Sequence, residues 1–284
     1  MLYLLATTLL SAAIFVVFKL FKKFEINNLQ AITTNYLVAS LTALLIYSGE
    51  INYTRFVGAD WFSIVIGGAF IGVFFLFALS SQKAGIAVTA VSSKMSVAIP
   101  TFAGFILFFE KGTLLKVLGI FLALLALYLA LRKDEKEKSK LSLKVVLLPV
   151  FLFLGTGIND LMMKIADYYF VTDDLLLLLA SIFLVALLIG SLALLFDLKK
   201  SHQSLKSKNI VAGIFLGLIN FGSTYFLFKS MACFDASFLF PVRNAGVVAL
   251  TALIAWIFFN EKLSRTNWAG IGTAIVAIIM IANN

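Results

Sequence analysis

Phe108-Phe109-Glu110-Lys111, with Gly119-Ile120 starting eight residues after the lysine, is answered later in the chain by Phe259-Asn260-Glu261-Lys262 and Gly270-Ile271 at the same spacing. Sliding the chain by 151 positions without a gap also superposes Val91 on Val242, Ala98 on Ala249, Ile106 on Ile257, Ala123 on Ala274 and Ala126 on Ala277. Self-similarity over such a length marks a duplicated unit. If each unit holds an odd number of membrane spans, the second copy enters the bilayer upside down, the pattern of an inverted-repeat transporter.

The composition says why the unit is a membrane unit. Of 284 residues, 62% are hydrophobic and 13% charged, with 29 phenylalanines and three prolines. A soluble domain is nearer half apolar and a quarter charged. Only helices and closed barrels satisfy their backbone in hydrocarbon, and long apolar runs without alternation exclude the barrel. The expected fold is therefore all-α and integral to the membrane.

At about 20 apolar residues per span, ten spans are expected, near 2–20, 28–48, 61–81, 84–109, 113–131, 145–166, 174–196, 209–231, 234–259 and 266–282. They arrange as two inverted five-helix repeats, 1–131 and 145–284, joined by a charged linker, 132–144. The first span has no basic n-region and no small-residue cleavage site, so it is expected to be retained. Weaker signs of the repeat are Ser11 and Lys19 against Thr156 and Lys164, and Gly68-x-x-x-Gly72 against Gly213-x-x-x-Gly217. Small residues at that spacing let helices approach closely, so both glycine pairs are expected to pack.

Loops after odd-numbered spans carry Lys19, Lys22, Lys23, Lys83, the basic residues of 132–144, Lys199, Lys200, Lys206, Lys208, Lys262 and Arg265. Loops after even-numbered spans carry only Arg55, Lys111, Lys116 and Lys164. This asymmetry predicts a multi-pass protein of the inner or plasma membrane, with the 132–144 linker in the cytoplasm and both termini outside. The net charge of +9 is thereby used for orientation, and no nucleic-acid partner is expected. One cysteine, Cys233, and one histidine, His202, supply neither a disulfide framework nor a Cys/His metal cluster. No cofactor is expected.

The two Glu-Lys turns, each followed by Thr113 or Ser264 and then a helix with Gly119 or Gly270, resemble the EamA family of the drug/metabolite transporter superfamily. The lysines closing the first span of each repeat, Lys19 and Lys164, fit the same resemblance. The glycine usual before the glutamate is Phe109 in one copy and Asn260 in the other. The resemblance covers essentially the whole chain and implies transport of a small molecule. The turn physics stands on its own. Thr113 and Ser264 sit where N-caps are needed. Glu110 and Glu261, beside Lys111 and Lys262, close the preceding helices, where a carboxylate opposes the helix dipole. Each glutamate is expected to bond the N-terminus of a neighbouring helix or a lysine, as a structural pin.

Charge inside the spans points to the substrate. Ionisable groups in hydrocarbon cost ~2.5–3.5 kcal/mol each on insertion scales and are functional candidates. Lys94, Asp160 and Arg243 are the clear ones, accompanied by Ser93, Asn159 and Asn244, with Ser92, Asn35 and Asn220 as further polar neighbours. The repeat maps Ser92 on Arg243 and Ser93 on Asn244. Pro100 and Pro241 are expected to open the backbone nearby. At 1.5 Å per residue, Asp160 and Arg243 come to roughly equal depths, about 22 and 24 Å from the cytoplasmic side, and Lys94 to about 15 Å. Asp160 and Arg243 then form either a structural salt bridge or a functional pair.

Two cations against one carboxylate favour an anionic or zwitterionic, amino-acid-like metabolite. The expected function is secondary transport by alternating access. The alternatives are a carrier of a lipid-linked or phosphate-headgroup substrate and a broad-specificity drug exporter. No nucleotide-binding, zinc-protease or Gly-x-Ser-x-Gly motif points to an enzyme. The partners are then a small molecule and the bilayer, with homodimerisation left open.

Overall fold

Uninterrupted apolar sequence becomes uninterrupted helix. The computed structural model describes residues 1–47, 60–107, 113–131, 143–169, 175–201, 204–231, 233–234 and 236–282. Glu110, Lys111, His202 and 132–142 of the linker lie outside these; for Trp61, Lys144, Lys164 and Pro241 the backbone alone is described. The helices are α1 (Leu2–Lys23), α2 (Asn28–Ile46), α3 (Asp60–Lys83), α4 (Ile86–Met95), α5 (Ala98–Leu107), α6 (Leu114–Leu131), α7 (Leu143–Tyr169), α8 (Leu175–Ser201), α9 (Ser207–Met231), α10 (Ala236–Phe259) and α11 (Arg265–Ala282). Among the described residues, eight helical stretches are long and apolar enough to cross a membrane, α4 and α5 together forming one of them. Shorter apolar helices cover Leu114–Ala130 and Arg265–Ile281. Large side chains such as Leu45, Phe121, Phe196 and Phe215 stand exposed, as a surface dissolved in lipid requires. This is an all-helical, multi-pass membrane protein.

The chain divides into two compact units, and each draws on both halves of the sequence. The first comprises Met1–Lys19, Leu76–Leu161 and Ser223–Asn284; the second comprises Leu20–Phe75 and Met162–Gly222.

In the first unit, α6 packs against α11 along a seam of Ala123, Ala126, Ala130, Ala274 and Ala277, all buried. A Cβ on Gly119 would meet Ile281 N at 3.0 Å and the Ala277 carbonyl at 3.2 Å. A Cβ on Gly270 would meet Ala130 N at 2.8 Å and the Ala126 carbonyl at 3.1 Å. Shifted by 151 positions, each set of contacts becomes the other, so the two glycines make the same contact reciprocally.

The end of this seam is tied by Asn267. Its Oδ1 accepts from Ser264 N and Oγ, and Asn267 N donates to Ser264 Oγ, a capping box at the start of α11 with Asn in place of Glu. Its Nδ2 donates to the Ala130 carbonyl at 2.9 Å, one of the last carbonyls of α6, which lack helical partners. Thr113 stands at the start of α6, where its Oγ1 accepts from Lys116 N at 3.4 Å.

The second unit is built around α2. Asn27 caps it by accepting from Leu29 N and Gln30 N. Gln30 Oε1 accepts from Asn209 Nδ2 at 2.7 Å and from Lys206 N at 3.1 Å, binding the start of α9 to α2. Gly213 and Gly217 let α9 approach α2: Cβ atoms there would lie 2.5 Å from the Ala31 carbonyl and 2.8 Å from the Asn35 carbonyl. The other expected glycine pair does not pack. Among the described residues, Gly72 meets nothing within 4 Å and Gly68 only the tip of Ile189 at 3.5 Å. In α3 the tight position is Gly67, whose Cβ would lie 2.7 Å from Val185. The pattern x-x-x between glycines gives their common face; it does not say which helix that face meets.

Candidate functional site

The fourth expected span is broken, and the break sets the site. α4 ends at Met95, Ser96 and Val97 form a turn, and α5 starts at Ala98. Proline at 100 has no N–H to return to Ser96, so the Ser96 carbonyl accepts from Ile99 N instead, at 2.9 Å. Pro100 then falls within the first turn of α5, where N–H groups lack helical partners in any case. The Ser96 hydroxyl donates to the Ser93 carbonyl at 2.5 Å and lies 3.5 Å from Asp160 Oδ2. It has one proton, and the shorter contact takes it. The second expected opening is absent: α10 runs as one helix from Ala236 to Phe259, through Pro241.

The six candidate residues Ser93, Lys94, Asn159, Asp160, Arg243 and Asn244 all fall in the first unit. Lys94 lies in the last turn of α4 and is partly buried. Asn159 is buried, and its Oδ1 has no hydrogen-bond partner among the described residues. Asp160, its neighbour on α7, is exposed. Lys94, Asp160 and Arg243 lie close enough to act on one another through their charges. Asn35 and Asn220 belong to the second unit, where Asn220 Nδ2 donates to Asn35 Oδ1 at 3.2 Å.

The expected contact between Asp160 and Arg243 is not made. Among the described residues, the ion pair within 4 Å is Lys19–Glu261, and none joins Asp160 to either cation. Arg243 turns instead to α1. Its Nε donates to Thr7 Oγ1 at 3.0 Å and its Nη2 to Ser11 Oγ at 2.6 Å. These acceptors are themselves fixed. Thr7 Oγ1 donates to the Ser223 carbonyl at 2.8 Å, and Ser11 Oγ lies 2.7 Å from Ser223 Oγ. These neutral hydroxyls sit on the neighbouring helix α1 with their geometry set by Ser223 of α9, so Arg243 finds preformed acceptors there.

Nε and Nη2 form one edge of the guanidinium plane. The opposite edge, Nη1 with the second Nη2 hydrogen, meets no acceptor among the described residues. The sequence signal for these partners was slight. Thr7 and Ser11 share a helix face at i, i+4, and Ser11 marks the repeat through Thr156. Under the repeat, Arg243 and Ser11 correspond to Ser92 and Thr156, whose hydroxyls are buried without a partner among the described residues.

At the turn, Asn260 ends α10 at φ 48°, a conformation that glycine adopts most readily and asparagine next. Glu261 then accepts from Ile86 N and pairs with Lys19, while Lys262 is exposed.

These are the features of a polytopic helical membrane protein whose candidate polar and charged residues all belong to one helical unit. Residues 143–283 match the EamA-like transporter family, and the chain belongs to the EamA family of the drug/metabolite transporter superfamily. A protein of Haemophilus influenzae, described only as uncharacterized, is 26% identical over 286 residues, covering 98% of this chain and 96% of the relative.

Proposed function

We propose that the protein is a secondary transporter that carries a small anionic or zwitterionic, amino-acid-like metabolite across the inner or plasma membrane by alternating access. The observation that carries this reading is Arg243: one edge of its guanidinium is held by Thr7 and Ser11, and the other has no acceptor among the described residues. A guanidinium held along one edge is oriented before substrate arrives, and its other edge matches the two oxygens of a carboxylate. Lys94 adds a second cation. Asp160 and the unpartnered Asn159 Oδ1 supply acceptors for an ammonium group. Ser93 and Asn244 line the same stretches of α4 and α10.

Ten spans in two inverted five-helix repeats, 1–131 and 145–284 about the 132–144 linker, give this site its setting. The reciprocal contacts of Gly119 and Gly270 support that symmetry, since a two-fold relation between the copies produces such a pair. The positive-inside asymmetry supports a cytoplasmic linker.

Protein in lipid nanodiscs is heated with L-alanine, L-phenylalanine, L-lysine, succinate and glycerol 3-phosphate. A ligand at 100 times its Kd raises stability by about 2.7 kcal/mol. Stabilisation by the zwitterions, lost in Arg243→Ala, is the expected result. Stabilisation by the phosphate alone moves the reading to a phosphate headgroup, which the same guanidinium edge accepts. Zwitterion binding unchanged in both Arg243→Ala and Lys94→Ala overturns the site.

A further inference from the structure

α4 does not cap itself. It is ten residues long, its N-cap is Gly85 at φ +105°, and Gly85 brings no side chain to the orphan N–H groups of the first turn. The cap comes from the turn after α10. Ile86 N lies 3.0 Å from Glu261 Oε1 and 3.1 Å from Oε2, and Glu261 Oε1 lies 2.8 Å from Lys19 Nζ on α1. The site is largely shielded, with Lys19 22% and Glu261 14% exposed. It is also fitted: a Cβ on Gly85 would lie 2.7 Å from Glu261 Oε2.

The three segments that meet here are the three that carry the cations and their holders. α4 bears Lys94 in its last turn, α10 bears Arg243, and α1 bears Thr7 and Ser11. Beyond Lys94 the chain turns at Ser96–Val97, so α4 is a short rod held at one end by Glu261 and turned at the other. At 1.5 Å per residue, the clasp stands about 12 Å along α4 from Lys94 and about 24 Å or more along α10 from Arg243.

We propose that Lys19 and Glu261 are positioning residues that set Lys94 relative to Arg243 by clasping the N-terminus of α4. This rests on the reading of Lys94 and Arg243 as one substrate site. A carboxylate at a helix N-terminus completes both the missing hydrogen bond and the dipole. Lys19 fixes that carboxylate from a third helix. Releasing the clasp frees the rod to turn at Ser96.

The full chain in nanodiscs is tested by amide exchange and by reductive methylation of lysines, both read by mass spectrometry. Glu261→Gln keeps one acceptor for Ile86 N but removes the charge that meets the α4 N-terminus and Lys19, and is expected to raise exchange across Ile86–Met95 about fivefold, with α6 and α11 unchanged. Methylation of Lys94 changes in the same variant, while that of Lys116 stays constant. Lys19→Met leaves the cap in place, gives a smaller rise, and serves if Glu261→Gln does not fold. The swap Lys19→Glu with Glu261→Lys restores an ion pair but presents an ammonium to Ile86 N–H, so it is expected not to rescue.

The proposal is overturned if exchange in α4 is unchanged, if every helix loosens together, or if the swap restores the wild-type pattern. Binding of L-alanine is followed in parallel. Absence of binding in the wild type removes the substrate reading, while the exchange pattern still decides whether the clasp holds α4.

Discussion

Arg243 Nη2 donates to Ser11 Oγ at 2.6 Å, and with the Nε bond to Thr7 Oγ1 this fixes which edge of the guanidinium has no acceptor among the described residues. Substituting Ser11 by alanine leaves the charge in place and releases its orientation. A hydrogen bond to a charged group contributes about 1.5–3 kcal/mol. Ser11→Ala is therefore expected to lower the stability of the free protein by about that amount and, because the guanidinium is no longer oriented, also to weaken binding of carboxylate ligands by the folded protein about tenfold, measured by titration calorimetry. A loss of stability with unchanged affinity would make the contact merely structural.

Asp160 is expected to sort ligands by charge. Asp160→Asn removes the negative charge near Lys94 and Arg243, so the field there becomes more positive. Simple anions such as succinate then bind more tightly and zwitterions less tightly, by about tenfold if the change is near 1.4 kcal/mol. The ratio of the two affinities in the same preparation is the measurement. Loss of both together contradicts an ammonium-binding role.

Gly119 and Gly270 make corresponding contacts, so Gly119→Ala and Gly270→Ala should cost similar amounts. Each Cβ meets backbone that cannot rotate away, and overpacking of this kind costs about 1–3 kcal/mol. Gly272 is the control, since no described residue lies within 4 Å of its Cβ position. Gly272→Ala is expected to stabilise α11 by up to about 1 kcal/mol through helix propensity. Thermal unfolding in one detergent compares all three.

The glycines of the second unit make a sharper contrast. Gly213→Ala drives a methyl into the Ala31 carbonyl and Thr34, while Gly72→Ala enters open space. The first is expected to destabilise by about 1–3 kcal/mol and the second to be neutral or stabilising. If both are equally damaging, α3 uses its Gly68 and Gly72 face in a contact that the isolated chain does not display.

Asn267→Ala removes the capping box of α11 and the bond to the Ala130 carbonyl together. A loss of about 1–2 kcal/mol is expected, at the upper end for a cap. Asn267→Asp keeps the cap to Ser264 but cannot donate to Ala130, and should fall between.

The sequence by itself determined the class of this protein. Long apolar runs admit only helices in lipid, and the recurrence of Glu-Lys with Gly119 and Gly270 marked a duplicated unit; that these two glycines meet in one seam of α6 and α11 is seen only in the structure. The demand that Glu261 find a helix N-terminus or a lysine followed from the dipole alone, and Ile86 N and Lys19 answer it. These are local properties, read from spacing and chemistry along one helix.

Tertiary structure decided the rest. Pro100 breaks its span and Pro241 does not, although the repeat pairs the two helices. Arg243 found Thr7 and Ser11 rather than Asp160, because Ser223 had already fixed those hydroxyls on a neighbouring helix. Gly213 and Gly217 meet the backbone of a facing helix, while Gly68 reaches only the tip of Ile189 and Gly72 meets no described residue within 4 Å. In each case the outcome depends on which helix lies opposite and at what distance. The free energy of a buried polar group or a close backbone contact is set by that partner, and no spacing along a single segment contains it.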